Sequence, residues 1–211
     1  MRGQDILARL REELRQTNEY ILNHPLVLEA ERGKLSINIL KALVINQLYI
    51  VPHDLKALSF ILSRSRYPDE IEFFKILVDG DYRALHALRK LAEELNVTLD
   101  LERIVPEAVT YTHYLSWLAL NASLGEAAVA MIVNLPVWGS NTARLARALR
   151  NIYDVKAVNF FELFSGPYEE LEKMSYPIIE RYLDMERYRF VVRMIQTYER
   201  MFWDGIYKLK A

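Results

Sequence analysis

SINILKALVINQLYIVPHDLKALSFIL, residues 36–62, decides the fold. From Ile37 to Val51 apolar residues occupy nearly every side of a helical projection, interrupted by Asn38, Lys41, Asn46 and Gln47. A surface helix keeps a broad polar face, so a segment apolar almost all round belongs at the centre of a helical bundle. Ser36 is placed to cap its first turn. Pro52 lacks the backbone N–H that a helix interior uses, which predicts a kink in the preceding turn near Leu48 before the pattern continues through VPHDLKALSFIL.

Outward from this segment the period stays helical. DILARLREELRQTNEYIL sets apolar residues at helical spacing opposite charges. Pro68, followed by Asp69 and Glu70, starts a further helix, which Gly80 is expected to end, with Asp81 capping the next. Ser123 and Glu126 have capping-box spacing before a long apolar run, and the last helix extends from about Glu186 to Lys208. Seven glycines and seven prolines offer little turn chemistry for a sheet. The expectation is an all-α multi-helix bundle in which residues 1–211 form a single domain, long enough to bury about 70% of its unfolded surface.

Composition excludes several functions. The formal net charge is −1 with no dense basic run, which argues against nucleic-acid binding by phosphate neutralisation. No apolar run reaches the roughly 18 residues of a membrane span. The charged N-terminus MRGQDILARLREELRQ lacks a signal-peptide core, so a cytoplasmic location is expected. Cysteine is absent. His24, His53, His86 and His113 form no Asp/Glu-x-x-His pair of the di-iron type. His24 and His86 read as surface or capping residues, His53 as a local hydrogen bonder and His113 as a core histidine. No metal or other cofactor is expected.

Three polar residues fall on apolar stripes. Counting by helical turns from Glu199 reaches Val192, Ile195, Phe202, Trp203 and Ile206. Gln47 shares its face with Leu40, Leu43, Val44, Ile50 and Val51, and Tyr111 shares its face with Ala108, Leu115 and Leu118. A buried polar group without a partner costs several kcal/mol, so such groups meet one another, backbone, water or a ligand. Each also has a structural reading. Glu199 could pair with an arginine, Gln47 could bond backbone freed by Pro52, and Tyr111 could be a core tyrosine with one partner.

Three segments resemble the TenA, or thiaminase II, family of the haem-oxygenase-like superfamily. They are HPLVLEAERGKLSINILKALVINQLYIV (24–51), AVTYTHYLSWLALNASLGEAAVAMIVNLPVWGSNTARLARAL (108–149) and YERMFWDGIY (198–207). The resemblance implies a closed pocket in which an aminopyrimidine derived from thiamine is hydrolysed. It makes Glu199 the acid/base, sets Phe202 and Tyr111 beside the ring, and implies a homo-oligomer, commonly a tetramer, with no nucleic-acid or membrane partner. Burial would raise the carboxyl's pKa, by up to about 3–5 units, towards the range where it can protonate a ring nitrogen.

The departures from the family pattern define the rest of the expected site. Val137 stands where the family's nucleophilic cysteine is expected, Gln47 where an aspartate pairs with the pyrimidine, and Phe164 where a pocket tyrosine lies. Ile50 and Ser140 replace two further tyrosines. The implied function is a cysteine-independent aminopyrimidine aminohydrolase of thiamine salvage. The alternative is a TenA-like binding or regulatory protein that keeps the pocket without the chemistry. The bundle also resembles pyrroloquinoline-quinone synthase proteins at the level of fold.

Overall fold

The computed structural model describes residues 2–210, which form ten α-helices and two short 3-10 turns, with no strand among the described residues. Residue ranges follow the capping signals closely. Helix α4 (Ile37–Ser63) begins where the Ser36 hydroxyl accepts a hydrogen bond from the Asn38 N–H, 3.2 Å away. It passes through Pro52 without ending. Beside the proline, the ring Nδ1 of His53 lies 2.7 Å from the Tyr49 carbonyl, the local hydrogen bond expected of that histidine. Helix α7 (Leu124–Ile152) opens on the reciprocal capping box: Ser123 Oγ accepts from the Glu126 N–H at 3.2 Å, and Glu126 Oε2 accepts from the Ser123 N–H at 2.8 Å.

Helix α5 (Pro68–Glu94) departs from expectation, because it runs unbroken through Gly80 and Asp81. Glycine inside a helix costs about 1 kcal/mol relative to alanine. That cost is offset where Phe73, Phe74, Leu77, Ala84, Leu88 and Leu91 bury along the same helix. Asp81 is therefore a mid-helix side chain and caps nothing. The amphipathic N-terminal segment divides at Leu14 into α1 (Gly3–Glu13) and α2 (Arg15–Leu22), followed by α3 (Pro25–Glu31).

The remaining helices are α6 (Thr110–Asn121), the single turn α8 (Asn159–Glu162), α9 (Glu169–Arg181) and α10 (Met185–Lys208). Helix α4 packs along α5 and α6, and α7 packs along α10 and α9. Their buried side chains form two apolar clusters. One contains Leu43, Ile50, Val137, Phe202 and Trp203, and the other contains Leu58, Leu77, Leu115, Met131 and Ile195. Between the clusters the interior opens into a cavity.

Candidate functional site

The cavity has a volume of about 310 Å³, within the range that holds a small heterocycle. Gln47, Ile50 and Asp54 reach it from α4, Gly80 and Asp81 from α5, Tyr111 from α6, Asn134 and Trp138 from α7, and Glu199 and Phe202 from α10. Phe164 and Tyr168 cover it from the segment between α8 and α9. This segment lies tight against α7 at Gly139, where an added Cβ would collide with the Tyr168 hydroxyl and the Phe164 carbonyl.

Glu199 is 4% exposed. Its Oε1 accepts a hydrogen bond from Trp203 Nε1 at 2.7 Å, and its Oε2 accepts from Asn134 Nδ2 at 3.3 Å. No cation pairs with it among the described residues, so the arginine partner is not there. Burial raises its pKa to about 7, and the Trp203 and Asn134 hydrogen bonds hold the rise back. Asn134 is the hub of the polar network: its Oδ1 accepts from the Tyr111 hydroxyl at 3.1 Å and its Nδ2 also donates to Gln196 Oε1 at 2.9 Å. Gln196 Nε2 donates in turn to Asn18 Oδ1 at 2.5 Å. Tyr111 keeps its proton, since burial and the nearby carboxylates Asp54, Glu199 and Asp81 all push its pKa up.

Of the residues singled out in the sequence, Glu199, Gln47, Tyr111, Phe164, Phe202 and Ile50 meet in this cavity. Val137 does not line it, and packs instead into the apolar cluster with Phe202 and Trp203. The aromatic wall is built around Trp138, whose ring centre lies 5.6 Å from Phe202 and 5.9 Å from Phe164. Ser140 is on the exposed side of α7. Gln47 is 4% exposed, yet its amide finds no hydrogen-bond partner among the described residues, so the backbone near Pro52 does not satisfy it.

Two carboxylates that sequence reasoning missed complete the site. Asp54 lies two turns beyond Gln47 on α4, and Asp81 lines the same cavity from α5, close enough for its charge to act on Asp54. Burial raises both pKa values, and the charge of Asp81 adds to the rise at Asp54. Two like charges in one desolvated place leave at least one proton on the pair near neutral pH. Asp54 Oδ1 and the fully buried Thr112 Oγ1 both lack a completed hydrogen bond, although the Thr112 hydroxyl is near enough to favour the ionised form of Asp54.

The histidines stay out of the cavity. His24 does cap α3, accepting from the Leu26 N–H at 3.2 Å, but it is 1% exposed and not a surface residue, with Nε2 3.2 Å from Asp204 Oδ1. His113 is exposed, on a face of α6 where Trp117 and Leu120 are exposed too; its core placement fails because α6 buries the opposite face, Leu115, Leu118 and Ala119. No group of three or more His, Cys, Asp or Glu side chains suited to a metal ion occurs among the described residues. Nor is any helix long and apolar enough to cross a membrane.

Solved structures share the whole architecture. A TenA homologue from Pyrococcus furiosus superposes with a TM-score of 0.79 at 20% identity, covering 96% of this chain and 100% of its own. A TenA homologue from Pseudomonas syringae also gives 0.79, at 16% identity, with 95% and 92% covered. A protein of Sulfolobus solfataricus named as a candidate TenA-like thiaminase gives 0.72 at 15% identity, with 96% and 95% covered. No curated protein matches the chain. Residues 11–209 match the family described as TENA/THI-4/PQQC, so this haem-oxygenase-like bundle belongs to the TENA/THI-4/PQQC family.

Proposed function

We propose that the protein is a thiaminase II-type hydrolase acting on an aminopyrimidine-like base, with Glu199 as the proton carrier and water as the nucleophile. The observation that carries this reading is the Glu199 carboxyl itself: buried, unpaired with any cation among the described residues, poised near pH 7 and anchored in the cavity wall. A carboxyl with that pKa is protonated in a useful fraction of molecules and can also accept a proton back. In the reaction, the protonated Glu199 gives its proton to a ring nitrogen, which makes the adjacent carbon electrophilic. Water forms a C–O bond at the carbon that bears the amine as its C–N bond breaks, the proton lent to the ring nitrogen passes to the departing amine so that it leaves as ammonia, and Glu199 recovers a proton from the attacking water. Phe164, Trp138 and Phe202 enclose the ring and keep bulk water from competing. Tyr111, through Asn134, fixes the carboxyl's orientation.

A second reading is a ligand-binding or regulatory protein of the same family. It is favoured by Val137, which has no nucleophilic atom and is turned into the core. The test is turnover of 4-amino-5-aminomethyl-2-methylpyrimidine, its N-formyl form and thiamine, followed by mass spectrometry and ammonia release, with Glu199→Gln in parallel. The hydrolase reading expects turnover that the substitution abolishes. Binding without turnover would leave the second reading, and turnover that survives Glu199→Gln would remove Glu199 from the mechanism.

A further inference from the structure

The cavity is unbalanced in charge. Asp54, Asp81 and Glu199 line it, against Arg83 as the sole cationic lining residue among those described, and Arg83 is exposed, with its Nε directed to the Asp79 carbonyl, 3.3 Å away. Histidine contributes nothing to the wall. The hydrolytic reading uses Glu199 and leaves the two aspartates without a task. Neither forms an ion pair with any described residue, and Asp54 Oδ1 is buried without a partner. A buried acidic group that gives nothing to packing is retained at a cost, which points to a ligand that compensates it.

A second observation marks the same wall. Gln47 is 96% enclosed, lines the cavity and sits two turns before Asp54 on one face of α4, and its amide makes no hydrogen bond to a described residue. Its carbonyl oxygen can accept from an N–H, and its NH₂ can donate to a ring nitrogen. Ile50, between them on this face, supplies an apolar step of about one turn. The wall therefore offers acceptor and donor, then a short apolar span, then paired carboxylates.

We infer that Asp54 and Asp81, with Gln47 beside them, form a subsite for a protonated amine carried on a short arm of the ligand, so that the protein selects cationic, amine-bearing heterocycles over neutral and anionic ones. The ring end of this assignment rests on the aminopyrimidine reading, and the ammonium end does not. An ammonium has three donors for the two aspartates and no acceptor to be stranded there. A hydroxyl in its place leaves the carboxylate charge uncompensated, and a phosphate ester would set like charges together in a desolvated space.

The experiment compares equilibrium binding of matched probes by calorimetry: 4-amino-5-aminomethyl-2-methylpyrimidine, its 5-hydroxymethyl counterpart and 1,4-diaminobutane. Each is titrated into protein with wild-type aspartates, Asp54→Asn and Asp81→Asn, all carrying Glu199→Gln so that no probe is hydrolysed during the titration. A charge-assisted hydrogen bond corresponds to about a tenfold preference or more for the aminomethyl over the hydroxymethyl compound. Either substitution should collapse that ratio towards one. A ratio near one with both aspartates in place, or one that survives both substitutions, overturns the subsite, while binding of the ring compounds would leave the aminopyrimidine reading standing. Binding of 1,4-diaminobutane alone, lost in Asp54→Asn, supports the subsite and overturns the ring. No binding of any probe overturns both. The ratio with both aspartates in place decides the matter even if an aspartate variant fails to fold.

Discussion

Trp203 Nε1 donates to Glu199 Oε1 at 2.7 Å across one turn of α10, and this indole stabilises the ionised form of the buried carboxyl. Trp203→Phe keeps most of the ring and removes the donor. Since that hydrogen bond lowers the Glu199 pKa, its loss moves the carboxyl's titration upward from about 7. The cost at pH 8, where the wild-type group is mainly charged, is about 1.5–3 kcal/mol. Carbon-13 NMR titration of the Glu199 carboxyl reads the shift; a midpoint unchanged or lowered would refute the role given to Trp203.

Stability should fall as pH rises through neutrality. Glu199 titrates near 4.5 when unfolded and about 7 when folded, so between those values the folded state binds more protons. Its favourable contribution is complete below about pH 4.5 and is lost as pH passes 7, a span of about 3 kcal/mol. Asp54 and Asp81 act in the same direction. On the acid side, carboxylates such as Glu31, held low by its hydrogen bond with Arg144, lose their ion pairs as pH falls. Maximum stability is therefore expected near about pH 5. Glu199→Gln should flatten the decline between pH 5 and 8 and melt above the wild type at pH 8. Equal slopes for the two proteins in thermal melts would contradict the raised pKa.

Much of this was legible in advance, for reasons that differ residue by residue. Glu199, Gln47 and Tyr111 stood out because a polar residue on an apolar helical stripe is a local signal, readable by counting turns. Val137 was placed by its neighbours Leu135 and Pro136, but one position on a helix is a rotation of about 100°, and Leu135 and Trp138 reach the cavity in its stead. Asp54 carried the same signal as Gln47, lying on its face two turns later, and was obscured by following Pro52 and His53. Asp81 was hidden by a rule that usually holds. Glycine followed by aspartate reads as a helix end and a cap, and only packing against α4 keeps α5 continuous through them. Asn134 was unreadable, because its role depends on Tyr111 and Gln196 arriving from other helices.

Gly139→Ala tests how tightly the cover segment is held. The methyl group would collide with the Tyr168 hydroxyl and the Phe164 carbonyl, so the segment 163–168 must move away from α7. Overpacking of this kind costs about 1–3 kcal/mol. Helix propensity opposes it by about 1 kcal/mol in favour of alanine, so the net effect is destabilising but modest. The clearer readout is local: amide hydrogen exchange should accelerate across 163–168 while α4 and α7 stay protected. Unchanged exchange in that segment would show that it does not depend on contact with Gly139.

Asn134→Leu should be among the most damaging single changes at the site, because Asn134 satisfies three partners at once. Its loss leaves Gln196 Oε1 without its donor, removes one hydrogen bond to Glu199 and takes the acceptor from the Tyr111 hydroxyl. Leucine keeps the branched shape and heavy-atom count, so no cavity is left and the cost arises chiefly from stranded polar groups; about 2–4 kcal/mol is expected from urea unfolding at pH 7. The Glu199 share of that cost can be isolated. In a double-mutant cycle, Asn134→Leu should destabilise less in the Glu199→Gln background, since a neutral amide loses less than a carboxylate when the donor goes. A coupling of about 0.5–1.5 kcal/mol at pH 8, shrinking below pH 6 as Glu199 becomes neutral, is the expected result. A coupling that does not change with pH would mean that Asn134 holds Gln196 and Tyr111 in place but does not tune the carboxyl.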